Sequence, residues 1–407
     1  REAEQRAATL FGAAWTRFLV NGTSGGVHAM LLATLGEGDT VIVPREAHLC
    51  VAGGLVLSGA MPRYLPRRVD PDVHLPIPPG AAEYAAALSQ CPDAKAVVVT
   101  YPNYYGLCCD LEEIANTLTR RGPYLLVDEA HGAHYAFHSS LPPSALSCGA
   151  QVVVQSTHKT LSGLTQASML HAASGVDVAA LERALGWVQT TSPSSLLLAS
   201  LDSARAQMAK DGQRLWERAL YVSDYTRVAL NTLAGVRCLG SADLQSVAPK
   251  WDSTRLIFSC DGLSGLEVAA ALRSEFGIQV EMADQEYVVA LVGLGDNLAH
   301  AHRLVAAVDA LRTRLSRSST LLLEYPPLPP IELSPRQAAQ AQFERTSWHQ
   351  AVGRVAAQTI CPYPPGVPVV VPGEVITPEV AEYVQQAKKC GFYLRGDLGD
   401  GSVSVVA

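Results

Sequence analysis

With 407 residues, 48% of them hydrophobic and 17% charged, the chain is long enough for two or three domains around a sizeable core. Its 38 acidic side chains outnumber 31 basic ones, a formal net charge of −7, so composition offers no basic face for nucleic acid or an anionic membrane. No apolar stretch approaches the ~20 residues of a bilayer-spanning helix, and nine cysteines without a C-x-x-C pair read as reduced thiols of a cytoplasmic protein.

The opening "REAEQRAATLFG" reads as a charged, Ala-rich helix, unlike a signal peptide. From residue 17 to about 172 strands and helices alternate. "RFLVN" leads through "GTSGG" into the helix "VHAMLLATLG", closed by Gly36; "TVIVP" is the next strand, followed by a helical "HLCVAGGLVLSGA" and a short strand at "PRYLP". After a Pro-rich loop (70–80) and a helix near 81–89 comes "KAVVVTYP", then a helix from Asp110 to Arg120 with Asp110 and Glu113 as a capping box. "YLLVDEAH", "AQVVVQSTHK" and "TQASMLHA" are further strands.

This alternation predicts an α/β fold, a largely parallel sheet with helices on both faces. Ligands of such sheets sit beyond the carboxyl ends of the strands, where Asn21, Asp128 and Lys159 fall. Helices at about 177–190 and 197–234, a second α/β unit from "TRLIFSC" to "YVVALVGLG", and a helix at 299–316 follow. The proline-rich "EYPPLPPIELSP" (324–335) reads as a stiff linker to a last unit containing "CPYPPGVPVVVPGE". The expected units are 1–205, which holds a cofactor, 206–323, and 324–407.

Three motifs carry chemistry. "NGTSGG" at a strand-to-helix turn places Thr23, Ser24 and Gly25 where a phosphate is held by hydroxyls and unpaired N–H groups. It matches neither G-x-x-x-x-G-K-[ST] nor G-x-G-x-x-G, so "DEAH" at 128–131 is not a helicase box. His131, His134 and His138 do not spell H-E-x-x-H, and no metal is expected. Alone, Asp128 is a cap or surface acid, and Lys159 in "VVVQSTHKT" a solvated loop lysine. In order, however, a phosphate turn, a strand-end Asp128 and a Lys159 lying 31 positions later (159 − 128) are the parts pyridoxal phosphate requires. The lysine attaches covalently, the aspartate keeps the pyridine nitrogen protonated, and the turn anchors the phosphate.

"FLVNGTSGG", "VPREAH", "TYPNYYGLCCDL", "LLVDEAHGAH", "VVQSTHKTLSGLTQASMLH", "TTSPS", "VEMAD" and "YPPGVPVVVPGE" together resemble the fold-type-I, pyridoxal-phosphate-dependent ornithine/lysine/arginine decarboxylases, in particular their shorter bacterial branch. The resemblance implies an aspartate-aminotransferase-like major domain with smaller C-terminal α/β domains. It makes Lys159 the covalent lysine, Asp128 the pyridinium partner and His48 the ring that stacks on the cofactor, with Ala130 and His131 beside it. Thr23, Ser24, Gly25, Ser156 and His158 would surround the phosphate, and Thr191 and Ser192 would reach it from the neighbouring subunit of a homodimer or larger even assembly. Lys159 or His158 would reprotonate Cα.

The implied substrate is a basic L-amino acid, arginine ahead of lysine and ornithine third, with Glu374 a candidate carboxylate for its distal cation. Leu49 and Cys50 stand where the family pattern has lysine and serine, and Ser195 where it has an aromatic. Lys159 and Asp128 by themselves are equally the parts of aminotransferases, aldolases and racemases. An aminotransferase gripping the substrate carboxylate through an arginine such as Arg354 or Arg395 therefore stays open, as does an inactive cofactor-binding subunit. Tyr104 and Tyr105 read as pocket or core aromatics.

Overall fold

The computed structural model describes residues 1–119, 122–314, 323–397 and 399–407. After helix α1 (Glu2–Phe11), strands β1 (Trp15–Leu19), β2 (Thr40–Pro44), β3 (Met61–Leu65) and β4 (Ala96–Thr100) precede a two-residue β5 (Leu107–Cys108) and then β6 (Tyr124–Asp128), β7 (Val152–Gln155) and β8 (Ser168–Ala172). All but β5 form one sheet of order β1-β8-β7-β6-β4-β2-β3. β3, β2, β4, β6 and β7 are parallel, whereas β8 runs antiparallel to both β7 and β1.

The uninterrupted apolar strands follow from burial on both sides. Val97, Val99, Val127 and Val153 join one hydrophobic cluster with Phe11, Tyr135 and Trp216. The alternate residues Val98, Leu126, Val152 and Val154 join another with Val27, Met30 and Leu31 of helix α2 (Gly22–Thr34) and Val51 and Leu55 of α3 (Leu49–Ser58). A Cβ on Gly26 would lie 2.7 Å from Leu19 Cδ1 and 2.8 Å from Val154 Cγ1. This glycine of "TSGG" is therefore what lets α2 lie flat against the sheet.

The helix Ser195–Asn231 runs 37 residues without a break, so it passes straight through the 205/206 boundary expected between the first two units. Beyond it, β9 (Val236–Cys238), β11 (Arg255–Cys260), β12 (Met282–Ala283) and β13 (Val288–Leu291) form a four-stranded antiparallel sheet. β10 (Lys250–Trp251) pairs instead with β5 of the larger unit. The helix expected at 299–316 is Leu298–Arg314, and that expected at 110–120 is Leu111–Thr119; positions 120, 315 and 316 lie outside the described residues. Asp110 caps the latter helix through the Glu113 N–H at 3.0 Å.

The C-terminal unit has its own core of Trp348, Val370, Val384 and Val403. All nine cysteines are free. Among the described residues no helix is long and apolar enough to cross a membrane.

Candidate active site

The carboxyl ends of the central parallel strands meet the start of α2. Register places Asp128, the last residue of β6, beside Thr100 of β4 and Val154 of β7. Here a cleft of about 220 Å³ is lined by Thr23, Ser24, His48, Asp128, Ala130, His131, Ser156, His158 and Lys159, together with Cys50, Thr100, Tyr104 and Tyr363. Gly25 lies one residue behind, toward Asn21, and is not part of the wall.

No side chain caps α2, so its first turn presents N–H groups to the cleft, a natural anion cradle. Thr23 Oγ1 shares hydrogen bonds with Ser156 Oγ and, at 3.1 Å, with Ser168 Oγ. These bonds tie the cradle to the residues that follow β7.

Asp128 is 4% exposed, and its Oδ1 accepts the Ala130 N–H at 3.1 Å. Burial raises its carboxyl above the ordinary range, against the pull of Lys159 and of that N–H. A second cation beside it would be welcome. His48 caps α3, Nδ1 accepting the Cys50 N–H at 3.2 Å. Burial, helped by the charges of Lys159 and Arg395, lowers this ring to about 4, so it faces the cleft neutral. The unusual Cys50 keeps the cap because only its backbone is used. The C-terminal unit closes over this turn, the Leu49 N–H bonding to the Gly366 carbonyl at 2.9 Å.

Lys159 stands on a single helical turn, Thr157–Thr160, just after β7, so it lies four residues past the strand end expected for it (159 − 155). Much of its side chain faces the open cleft, yet desolvation by the walls lowers its ammonium, partly offset by Asp128 and Glu281. Its Nζ is 2.9 Å from His131 Nε2. His158 bonds through Nδ1 to the Ala167 carbonyl at 2.8 Å.

Residues to which the sequence assigned no role complete the frame. Glu129, wholly buried, accepts the Ala145 N–H and the Gln155 amide, both at 2.7 Å. Gln155 then meets His171 at 3.0 Å, and His171 meets Thr16 at 2.8 Å, a buried polar chain across β6, β7, β8 and β1. Arg255, at the start of β11, reaches His131 Nδ1 at 2.9 Å, and Glu281 of "VEMAD" lies 3.9 Å from the same nitrogen. Glu129 falls inside "LLVDEAHGAH" and Glu281 inside "VEMAD", but nothing local marks Arg255 or tells which partners these acids meet, because the partners are chosen by tertiary approach. His134 is structural, packed on Trp216 at 4.3 Å between ring centroids and 3.2 Å from Asp252 Oδ2. Among the described residues no group of three or more His, Cys, Asp or Glu could hold a metal ion.

Thr191 and Ser192 are exposed and do not line the cleft of their own chain. Glu374 requires correction. It is 1% exposed, and its two oxygens take both forks of Arg45, at 2.6 and 3.0 Å. A carboxylate so paired is a clasp between the C-terminal unit and the "VPREAH" segment and offers nothing to a substrate. Glu374→Ala should cost roughly 3–5 kcal/mol by leaving Arg45 buried and unpaired, read as a lower urea midpoint. A second cavity of about 620 Å³ shares Tyr104 with the cleft. Asp70, Glu46, Asp284, Glu286 and Glu324 line it against Arg45 and Arg67, so its wall favours a cation.

The arrangement can hold an anion, face a cationic ring nitrogen with a buried carboxylate, and present an amine to a carbonyl carbon. Sequence profiles match in two parts, the Orn/Lys/Arg decarboxylase major domain over residues 1–251 and the C-terminal domain over 314–394. The chain belongs to the Orn/Lys/Arg decarboxylase family. Within it, the chain is 36% identical to an arginine decarboxylase of Bacillus subtilis over 97% of its own length and 82% of that relative's. It is 27% identical to the lysine decarboxylase LdcA of Pseudomonas aeruginosa, over 95% and 67%. The constitutive lysine decarboxylase of E. coli superposes with a TM-score of 0.87 at 22% identity, over 100% of this chain and 72% of that one. An alanine–glyoxylate aminotransferase of Nostoc superposes at 0.61 and 17%, over 76% and 85%. The decarboxylase thus shares the fold-type-I architecture of these enzymes.

Proposed function

We propose that the protein is a pyridoxal-phosphate-dependent decarboxylase of a basic L-amino acid, arginine ahead of lysine and ornithine third. The observation that carries this is the convergence of the anion cradle, Asp128 and Lys159 on one cleft. The residues fit the cofactor. The uncapped start of α2 with Thr23, Ser24 and Ser156 would hold its phosphate, neutral His48 would lie against its ring, and Asp128 would keep its ring nitrogen protonated. When bound, the cofactor takes up the electron pair left behind as carbon dioxide departs.

What remains for the chain is orientation and proton movement. The His158 Nδ1–H donates to the Ala167 carbonyl, so in the neutral ring Nε2 is an acceptor. This leaves Lys159, once its amine has taken up a proton, the better-placed donor to Cα. Of the two arginines that kept an aminotransferase open, Arg354 is engaged by Glu344 and the Val406 carbonyl, whereas Arg395 is near enough to the cleft to lower His48. The family match, not the geometry of Arg395, favours the decarboxylase. The arginine preference rests on the identity to arginine decarboxylases, and the acidic cavity beyond Tyr104 is the region a basic side chain would enter. Assaying carbon dioxide and amine with the three amino acids should give arginine the highest kcat/KM. Inertness toward all three would remove the assignment.

Assembly belongs to the same proposal. Thr191 and Ser192, exposed on their own chain, would reach a neighbour's cofactor phosphate in a homodimer. Thr191→Ala with Ser192→Ala should weaken cofactor retention on dialysis, and a stable, active monomer by sedimentation would contradict the assembly.

A further inference from the structure

His131 sits between two nitrogen donors. Arg255 Nη2 is 2.9 Å from its Nδ1 and Lys159 Nζ is 2.9 Å from its Nε2. Arg255 is 0% exposed and His131 6%, so no water can substitute for the first contact. A guanidinium only donates, which makes Nδ1 an acceptor. A neutral imidazole has one N–H, and it must then be on Nε2, pointing at Lys159. That bond closes only if Nζ offers its lone pair.

We propose that Arg255 fixes the tautomer of His131 and, through it, holds Lys159 as a neutral, oriented amine. Arg255 is thus a positioning residue supplied by the smaller unit, 124 positions from the histidine it governs. The inference rests on the proposed role of Lys159, which needs a neutral amine to attack a carbonyl carbon.

The device is built into the fold. β5 pairs with β10, and the Asp252 N–H bonds the Gly106 carbonyl at 2.8 Å, which brings the Asp252–Arg255 turn against the larger unit. Gly106 has φ +84°, and a Cβ there would lie 2.6 Å from Arg255 Cγ, so glycine keeps the path of the arginine open. Asp252, held by Thr254 at 2.6 Å and facing Arg255 Nε at 3.6 Å, balances the guanidinium.

The charged and titratable groups around Lys159 are Asp128, Glu281, Cys50, His48 and His158, besides His131 and Arg255. Asp128 and Glu281 favour its ammonium, whereas desolvation and Arg255 oppose it. His131 is driven well below its ordinary value by burial first, then by Lys159 and Arg255, in keeping with a neutral ring.

The test uses the full chain treated with hydroxylamine, which releases any carbonyl compound held on Lys159 as its oxime and restores the free amine, and then dialysed. Spectra of ring-¹⁵N-labelled histidine at neutral pH, with His131 assigned by its loss in His131→Gln, should show Nε2 protonated and Nδ1 bare. The reverse tautomer overturns the proposal without any Arg255 variant having to fold. In parallel, the pH midpoint for reductive methylation of Lys159, followed by mass spectrometry, should lie below lysine's usual value of about 10.4. Arg255→Met should raise that midpoint by about one pH unit or more, a tenfold change in the fraction of free amine, and abolish the tautomer preference. Arg255→Lys, which still only donates, should keep both. An unchanged midpoint in Arg255→Met overturns the idea, as does a raised midpoint with the tautomer intact, since Arg255 would then act by charge alone. Borohydride trapping of cofactor on Lys159 checks the proposed function separately. Failed trapping with the stated tautomer sinks the function and leaves this inference standing.

Discussion

Lys159→Ala is expected to lose all borohydride-stable attachment of pyridoxal phosphate, while the native chain carries the label on the peptide containing Lys159. The variant also loses the amine proposed to return a proton to Cα. That contribution alone corresponds to roughly 10²–10⁴-fold in turnover, at about 1.4 kcal/mol per decade. The fold should be unaffected, because the Lys159 side chain faces the cleft and, among the described residues, hydrogen-bonds His131 Nε2. Circular dichroism separates the two effects. Label on a different lysine, or a variant that keeps covalent attachment, would withdraw the assignment.

Asp128→Asn is expected to take up the cofactor nearly as well as the native chain, since the α2 cradle and Lys159 are untouched, yet to turn over at least about 10³-fold more slowly, ~4 kcal/mol of barrier. The physical reason is charge. A buried carboxylate stabilises a protonated ring nitrogen beside it, and a neutral amide of the same shape does so far more weakly. The Ala130 N–H that bonds Oδ1 at 3.1 Å can still bond the amide oxygen, so geometry is conserved while electrostatics change. Absorbance reports cofactor content, and single-turnover carbon dioxide release reports the rate. Near-native turnover would remove Asp128 from the mechanism.

The site was legible where its parts are local. β2, β4 and β7 of the parallel sheet are short β-branched runs and β6 a short apolar one, and the turns after β1, β6 and β7 carry polar residues close to the carboxyl ends. A reading along the chain therefore reaches Thr23, Asp128 and Lys159. Periodicity also identifies β8 as a strand but says nothing of its direction, and the structure makes it antiparallel. Partners distant in sequence were out of reach. Arg45 and Glu374, 329 positions apart, each look like a free charge until the C-terminal unit is docked, which is why Glu374 was expected in the substrate pocket. The 205/206 boundary was expected within a continuous helix for a related reason. The helix Ser195–Asn231 is amphipathic toward two units in succession, and no composition shift marks where one neighbour replaces the other.

That helix bears on how the molecule comes apart. At ~1.5 Å per residue its 37 residues extend about 55 Å, and its buried Leu201, Met208, Trp216 and Leu230 belong to the same cluster as Val127 below the cleft and Leu256 and Leu311 beyond it. The first two units therefore have a common interior and no seam along which to swing. Thermal melting of this portion should be a single cooperative event, and a core lesion near Leu311 should loosen Arg255 and the floor of the cleft at Val127 together with its own surroundings. The C-terminal unit, with a separate interior, is the portion free to melt on its own.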